Sequence, residues 1–285
     1  MPELPEVEIA ARLIGAAVAG ARVESTLAPG VNALKTFDPP LHALDGWRFD
    51  PAHPVGRRGK HLMLAFDNGL VLLIHLMSAG RLQLFDRRAG LRDRTSRVLI
   101  RLDDGRELRL REFGTKQAAW ARLVRAGELE AEEAIATLGP EAWPDPPPFL
   151  PLLGRAPRPL HTLLRDQRVI AGIGRSWVDE ILWEARLSPF KRGADLSEPE
   201  AVALREATVA RLGGALDTYA ATLTLPLPDR LPLPLKIHRH EGQPCPRCGT
   251  TLEAVHFEDY VIAYCPTCQT DGRVLKDRRL SRLLK

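Results

Sequence analysis

The chain has no apolar run approaching the ~20 residues that a membrane-crossing helix needs, and its start carries neither a basic segment nor the hydrophobic stretch of a secretory leader. Cysteine is scarce: there are four, all in two short pairs near the end. No internal repeat is visible, and the only biased tracts are two proline-rich stretches, Trp143–Pro148 and Leu225–Leu235. An excess of one sign of charge is nearly lacking too: 40 Lys+Arg against 36 Asp+Glu leave a net charge of only +4. These shortages argue against a membrane-spanning protein, an exported disulfide scaffold and a solenoid. They leave a cytoplasmic globular protein with reduced thiols, for which an anionic partner is allowed but not demanded. At 285 residues with 45% hydrophobic content, the chain has room for two domains and a small appendage.

The cysteines themselves are informative. Cys245-Pro-Arg-Cys248 and Cys265-Pro-Thr-Cys268 are separated by 16 residues, the spacing of a four-thiolate zinc site. Each C-x-x-C supplies two soft ligands from one tight turn. Two disulfides or four idle thiols are the alternative, and the lack of an export signal disfavours it.

Periodicity organises the rest. Residues 5–19 read as a helix, with Ile9, Leu13, Ala16 and Ala17 as its buried stripe. A β-rich region follows: His61–Phe66 and Leu70–Leu76 flank the hairpin signal Asp67-Asn68-Gly69, and Arg81–Phe85, Arg97–Leu102 and Glu107–Arg111 are further strands. Glu128–Ala136 reads as a short acidic helix. After the proline-rich linker come helices over Leu160–Gln167 and Ser176–Ala185, separated by Gly172 and Gly174, and a third opened by the capping box Ser197-Glu-Pro-Glu200. The expected fold is α+β and multidomain: an N-terminal β-sandwich with flanking helices (1–140), a linker (141–158), a helical domain (159–236) and a four-cysteine zinc hairpin with a basic C-terminal extension (237–285).

The N-terminus Met1-Pro2-Glu3 invites a chemical reading. Methionine before proline is normally trimmed, which leaves Pro2 with a secondary amine. An α-amino group titrates near ~8, so a usable fraction is unprotonated at neutral pH and can form a Schiff base with a sugar aldehyde carbon. Glu3 is placed to move a proton in the same step. The bland alternative is that Pro2 merely starts a helix whose acidic first turn includes Glu6.

Taken together, Met1-Pro-Glu-Leu-Pro-Glu-Val-Glu8, Gln167-Arg-Val-Ile-Ala-Gly-Ile-Gly174 and the two C-x-x-C pairs resemble the formamidopyrimidine-DNA glycosylase/endonuclease VIII family of base-excision repair enzymes. The resemblance spans nearly the whole chain. It implies a bifunctional DNA glycosylase and abasic-site lyase, monomeric and nucleoid-associated. Damaged double-stranded DNA would lie in a cleft between the two domains, with one structural zinc and β,δ-elimination from a Schiff base on Pro2. Glu3 would assist base departure and Glu6 shape the local electrostatics. Lys60 and His75 would reach phosphates near the lesion. Arg111 and Phe113 would fill the void left by a flipped nucleotide. Gly174 and Arg175, in a helix–two-turn–helix motif, would grip the backbone.

Several positions depart from the family pattern. Ser78 stands where a void-filling methionine is usual; Met77 is one residue away and, if the segment is a strand, points to the opposite face. His161 replaces a lysine, Arg175 an asparagine, and Tyr260 the hairpin arginine that contacts phosphate and orphan base. The chain also continues past Gln269 with six basic residues, of which Arg273 is the best candidate to restore a phosphate contact; Leu275, Leu280, Leu283 and Leu284 could form an apolar helical stripe there. These departures motivate a runner-up, a weakly catalytic or non-catalytic DNA-damage binding protein. A zinc-containing transcription factor would leave Pro2-Glu3 unexplained.

Overall fold

The computed structural model describes residues 2–30, 32–90, 93–113, 117–257 and 260–275. They fall into two compact units: Met1–Thr137 with Leu216–Pro232, and Leu138–Ala215 with Leu233–Lys285.

The first unit opens with α1 (Leu4–Val18), whose N-cap is Glu3. Leu4, Val7, Ile14 and Val18 are completely buried, while Ala16 is exposed and Leu13 and Ala17 are half-buried. The expected stripe of Ile9, Leu13, Ala16 and Ala17 is therefore rotated from the face that packs. The larger side chains decide, because alanines offer little apolar area to bury. Eight strands follow in two antiparallel four-stranded sheets. One is ordered β1 (Val23–Leu27), β6 (Ser96–Leu102), β7 (Glu107–Glu112), β5 (Gly80–Phe85); the other is β2 (Val55–Arg58), β3 (His61–Ala65), β4 (Leu70–His75), β8 (Trp120–Arg125). Gly69, at φ +75°, turns the expected β3–β4 hairpin, and Gly105, at φ +91°, turns the β6–β7 hairpin.

Three elements lacked a sequence signal. Strands β1 and β8 were not anticipated, and the basic run Gly56–Lys60 proves to be mostly β2, with Gly59 and Lys60 turning into β3. The acidic helix expected over Glu128–Ala136 divides into a 3-10 segment, Ala126–Ala131, and α2 (Glu133–Ala136), with Glu132 extended between them. Residues 77–79 form a turn rather than strand, and Met77 has φ 48°. Strand alternation thus does not apply to Met77 and Ser78. A Cβ at Gly80, where β5 begins, would collide with the Leu76 carbonyl.

In the second unit the segment after Leu138 is packed. Ala142 is fully buried, and α3 (Phe149–Leu153) buries both its terminal residues. Next come α4 (Leu160–Arg165), α5 (Arg175–Glu184) and α6 (Glu198–Thr222), the last continuing into residues of the first unit. A hairpin of β9 (Glu253–His256) and β10 (Val261–Tyr264) leads into α7 (Pro266–Gln269). Trp183, Ile237, Cys245, Leu252 and Cys265 form the core beneath it.

Candidate active site and nucleic-acid interface

Pro2 is buried at the head of α1, and Glu3 and Glu6 beside it are 2% and 3% exposed. Proline and an acidic first turn suit a helix start, and here that local preference places two carboxylates at the chain's amino end. The Glu3 backbone N–H donates to Glu6 Oε2 over 2.8 Å. The other Glu6 oxygen accepts from the Tyr219 hydroxyl, also at 2.8 Å. Tyr219 is fully buried at the end of α6. Burial, and then the Glu6 charge, push its hydroxyl well above the ordinary tyrosine range, so it remains a donor. On the next turn, burial raises Glu8, but hydrogen bonds from Arg57 and Arg12 outweigh that and hold its carboxyl low.

Lys60 is 7% exposed and sits in the turn before β3. Register puts His61 opposite His75, and His75 opposite Trp120. The imidazole centroids are 4.7 Å apart, and His75 is stacked on Trp120 at 5.9 Å. Burial, then the nearby His61 and Lys60, push the His75 pKa down to about 3. Its Nδ1 accepts the Met77 N–H at 3.1 Å. The neutral ring consequently carries its proton on Nε2, where it can donate to an anion without being charged.

Arg111, on β7, is held from three sides. Nε donates to Thr95 Oγ1 at 2.9 Å, and Nη1 to Gln83 Oε1 and Asp229 Oδ1, both at 3.0 Å. Its guanidinium lies 4.7 Å from the Phe113 ring. Asp229 belongs to the segment after α6, where Leu227 and Asp229 also accept from Gln83.

In the second unit the α4–α5 turn is fixed by Gln167. Its Nε2 donates to the carbonyls of Arg165 and Ile173, and its Oε1 accepts the Gly172 N–H. Gly172 has φ +106°, a conformation that favours glycine, whereas Gly174, the N-cap of α5, is extended. Arg175 is the first residue of α5, and its guanidinium lies 5.2 Å from the centre of the Tyr260 ring. His161 is 2% exposed, so it is a core residue rather than a presented cation. Its Nε2 lies 3.2 Å from Asp179 Oδ1, too poorly aligned to count as a hydrogen bond. The other Asp179 oxygen accepts from His238 Nδ1 and from the Ala263 N–H of β10. Glu180, fully buried, accepts the N–H groups of Lys236, Ile237 and His238 and pairs with Arg211. Two adjacent buried carboxylates on α5 thereby fasten the hairpin and the segment that leads into it.

The four cysteine sulfurs lie within 4.8 Å of one another, and Cys248 is 3.5 Å from both Cys265 and Cys268. Tetrahedral zinc at ~2.3 Å from each sulfur sets sulfur–sulfur distances of about 3.8 Å, so the donor set fits that metal. Thr250 donors pull the Cys248 thiol down to about 6, toward the thiolate a metal needs. Arg273 is exposed just beyond α7, where its backbone is tied to Thr270, and the Leu275 N–H donates to Tyr264 Oη. The rest of the C-terminal extension, including the expected stripe at Leu280, Leu283 and Leu284, lies outside the described residues.

Residues 1–115 match the formamidopyrimidine-DNA glycosylase N-terminal domain, 145–226 its H2TH domain, and 242–270 the zinc finger found in FPG and IleRS. A formamidopyrimidine-DNA glycosylase of Roseiflexus sp. (strain RS-1) is 33% identical over 282 residues, covering 94% of this chain and 100% of the relative. The chain belongs to the formamidopyrimidine-DNA glycosylase family. A formamidopyrimidine-DNA glycosylase-like protein of Mycobacterium tuberculosis is 43% identical over 126 residues, 44% of this chain and 80% of that protein. Among solved structures, Lactococcus lactis Fpg in complex with DNA containing an abasic site superposes with a TM-score of 0.83 at 22% identity, covering 94% of this chain and 99% of that one, which supports the fold.

Within this family member the structure brings Glu3 and Glu6 together, Arg111 beside Phe113, His75 beside His61, Arg175 against Tyr260, and the four cysteines around one point. Sequence reasoning missed Tyr219, Trp120, Asp229 and Arg165. Each acts on a partner far away in the chain, and none lies in a local motif.

Proposed function

We propose that this chain is a base-excision repair glycosylase that removes oxidised bases from double-stranded DNA and then cleaves the abasic strand. The observation that carries the reading is the buried carboxylate pair at the amino end, locked by Tyr219 and set beside Pro2. With Met1 removed, the Pro2 amine attacks the sugar C1′ of a flipped nucleotide. The glycosidic bond breaks as Glu3 delivers a proton toward the departing base and the amine loses its own proton; the C1′–O4′ bond then opens, O4′ takes up a proton, and nitrogen and C1′ become an iminium ion. The iminium ion acidifies the C2′ proton, whose removal expels the 3′ phosphate (β-elimination). A second elimination expels the 5′ phosphate. Glu6 holds the Glu3 backbone in place throughout.

Lys60 and neutral His75 would bind phosphates near the lesion, and Arg111 with Phe113 would occupy the space that the base leaves. Gly174, Arg175, Tyr260 and Arg273 would contact the DNA backbone. One zinc ion, held by Cys245, Cys248, Cys265 and Cys268, would be structural, since four thiolates leave no open coordination position. The protein would act as a monomer.

Borohydride reduction of the zinc-loaded protein on abasic duplex DNA tests this reading. The expected result is a covalent adduct whose sugar maps to the N-terminal peptide, together with cleavage on both sides of the site. Tight binding without an adduct would identify a damage-binding protein instead, and an adduct on Lys60 would displace Pro2 as nucleophile. A panel of oxidised purines and pyrimidines against defined opposite bases would then give the lesion preference.

A further inference from the structure

The hydrogen bonds around Arg111 give Asp229 a role beyond fastening its own segment. All the groups concerned belong to the first unit. Arg81 on β5 stands directly opposite Arg111 on β7, and Gln83, two residues on, points to the same face of the sheet. Against that face runs the segment after α6, where Pro226 and Pro228 limit the freedom of the backbone. Gln83 Nε2 donates to the Leu227 carbonyl and, at 3.1 Å, to Asp229 Oδ1, while Arg81 Nε donates to the Asp229 carbonyl at 2.8 Å. Leu227 itself is buried.

An arginine has five N–H protons, and three of those on Arg111 are committed. Nε donates to Thr95 Oγ1, whose own proton goes to Asp93 Oδ1 at 2.7 Å, so that the hydroxyl can only accept. One Nη1 proton goes to Gln83 Oε1. That amide is oriented by the two bonds its Nε2 donates, which leaves its oxygen to face the guanidinium. The other Nη1 proton goes to Asp229 Oδ1. Nη2 has no hydrogen-bond partner among the described residues. Asp229 is exposed, and an exposed ion pair alone is weak. Here the contacts that hold its segment bring the carboxylate to the guanidinium, so the bond does not depend on the attraction of the pair alone.

Donation from two nitrogens at once is what lets an arginine read two neighbouring acceptors. A bidentate contact of that kind discriminates against a wrong base by on the order of ten- to a hundredfold. When a nucleotide is flipped, the base opposite it loses the partner of its pairing edge. Cytosine then presents two adjacent acceptors, N3 and O2, whereas adenine, guanine and thymine place a donor beside or between theirs. With Nε and both Nη1 protons taken, Arg111 has a single nitrogen left to offer.

We propose that Asp229 is a positioning residue that closes the fork of Arg111, so that the base opposite the lesion is met through Nη2 alone and cytosine gains little over the other three. This rests on the placement of Arg111 in the space left by the flipped nucleotide, and not on the Schiff-base chemistry.

The test is equilibrium binding of the full-length, zinc-loaded protein to four duplexes that differ only in the base opposite a tetrahydrofuran abasic analogue. The wild type is expected to bind all four within about threefold of one another. Asp229→Ala, which frees an Nη1 proton and keeps the backbone contacts of the segment, should favour cytosine by roughly tenfold. Asp229→Asn, which keeps an acceptor oxygen, should behave as the wild type. Loss of a negative charge strengthens binding to every duplex alike, so the ratio of affinities is the readout. Adding Arg111→Ala to Asp229→Ala should return the ratios to near one. A tenfold cytosine preference already present in the wild type would overturn the role of Asp229. So would ratios that Asp229→Ala leaves unchanged or shifts toward another base, while Arg111→Ala still weakens binding to all four duplexes. Either result leaves Arg111 in its place. Affinities unmoved by Arg111→Ala would overturn both the role of Asp229 and the placement of Arg111. Borohydride trapping is read separately: its failure refutes the lyase reading without touching Asp229.

Discussion

Glu6 shows how much one residue can carry. One carboxylate oxygen holds the backbone of Glu3 and the other a tyrosine hydroxyl 213 positions away. Tyr219→Phe removes a hydrogen bond to a buried charged acceptor, which should cost about 1.5–3 kcal/mol in urea unfolding. If that contact also positions the amino end, Schiff-base formation should slow by roughly tenfold, the equivalent of ~1.4 kcal/mol on the barrier. Trapping time courses decide it: lost stability with an unchanged trapping rate would make Tyr219 a structural residue only. At His75 the expectation concerns pH. Its pKa is pushed down to about 3, mainly by burial, while an unfolded histidine titrates near ~6.5. The unfolded chain therefore takes up a proton that the folded protein refuses. The contribution to stability is complete above ~6.5 and is lost as pH falls toward 3. Ring NMR should show a neutral imidazole with its proton on Nε2 and no titration between pH 5 and 8. A charged ring near pH 6.5 would contradict the neutral phosphate contact.

At the scale of elements, the zinc hairpin is the clearest unit of cooperation. Its two strands are short, and the sulfurs, Trp183 and the α5 carboxylates do the fastening. Metal binding and folding are linked, with structural zinc contributing on the order of 10 kcal/mol. Cys265→Ser should release the metal and disorder β9 and β10, leaving the helical and sandwich regions folded. Trp183 Nε1 donates to Cys245 Sγ at 3.4 Å, so tryptophan fluorescence should report the loss together with metal analysis. Well-folded wild-type protein holding much less than one zinc per chain would count against the assignment. The turn at residues 77–79 carries a second lesson about elements. Strand parity gave a definite orientation for Met77 beside Ser78, but the chain leaves the sheet at Leu76 and parity no longer governs there.

For the whole molecule, net charge is only +4, so DNA affinity must come from where the cations stand rather than from how many there are. In the proposed DNA contact, the basic extension that begins near Arg273 would stand in for the hairpin arginine. Deleting residues 270–285 should flatten the salt slope of duplex binding by roughly one to three units if one to three of its charges touch phosphate. Arg273→Ala should reproduce part of that effect. Equal slopes for the truncated and full-length proteins, both folded and zinc-loaded, would assign the extension to packing.

The sequence by itself determined the chemistry that travels in short motifs. The thiol spacing, the proline-glutamate start, the paired glycines between two helices and the hairpin turns all depend on neighbours a few residues apart, and local sterics and hydrogen bonding suffice to read them. It also announced most strands and helices, because burial on one face leaves a period in the chain. Only the tertiary structure decided which face of α1 packs, that His161 is buried beside Asp179, that Arg111 is held by Asp229, that Tyr219 bonds Glu6 and that Arg165 lies over Tyr260. Those facts come from contacts between residues that packing alone brings together, and no local pattern encodes a partner whose position depends on the whole fold.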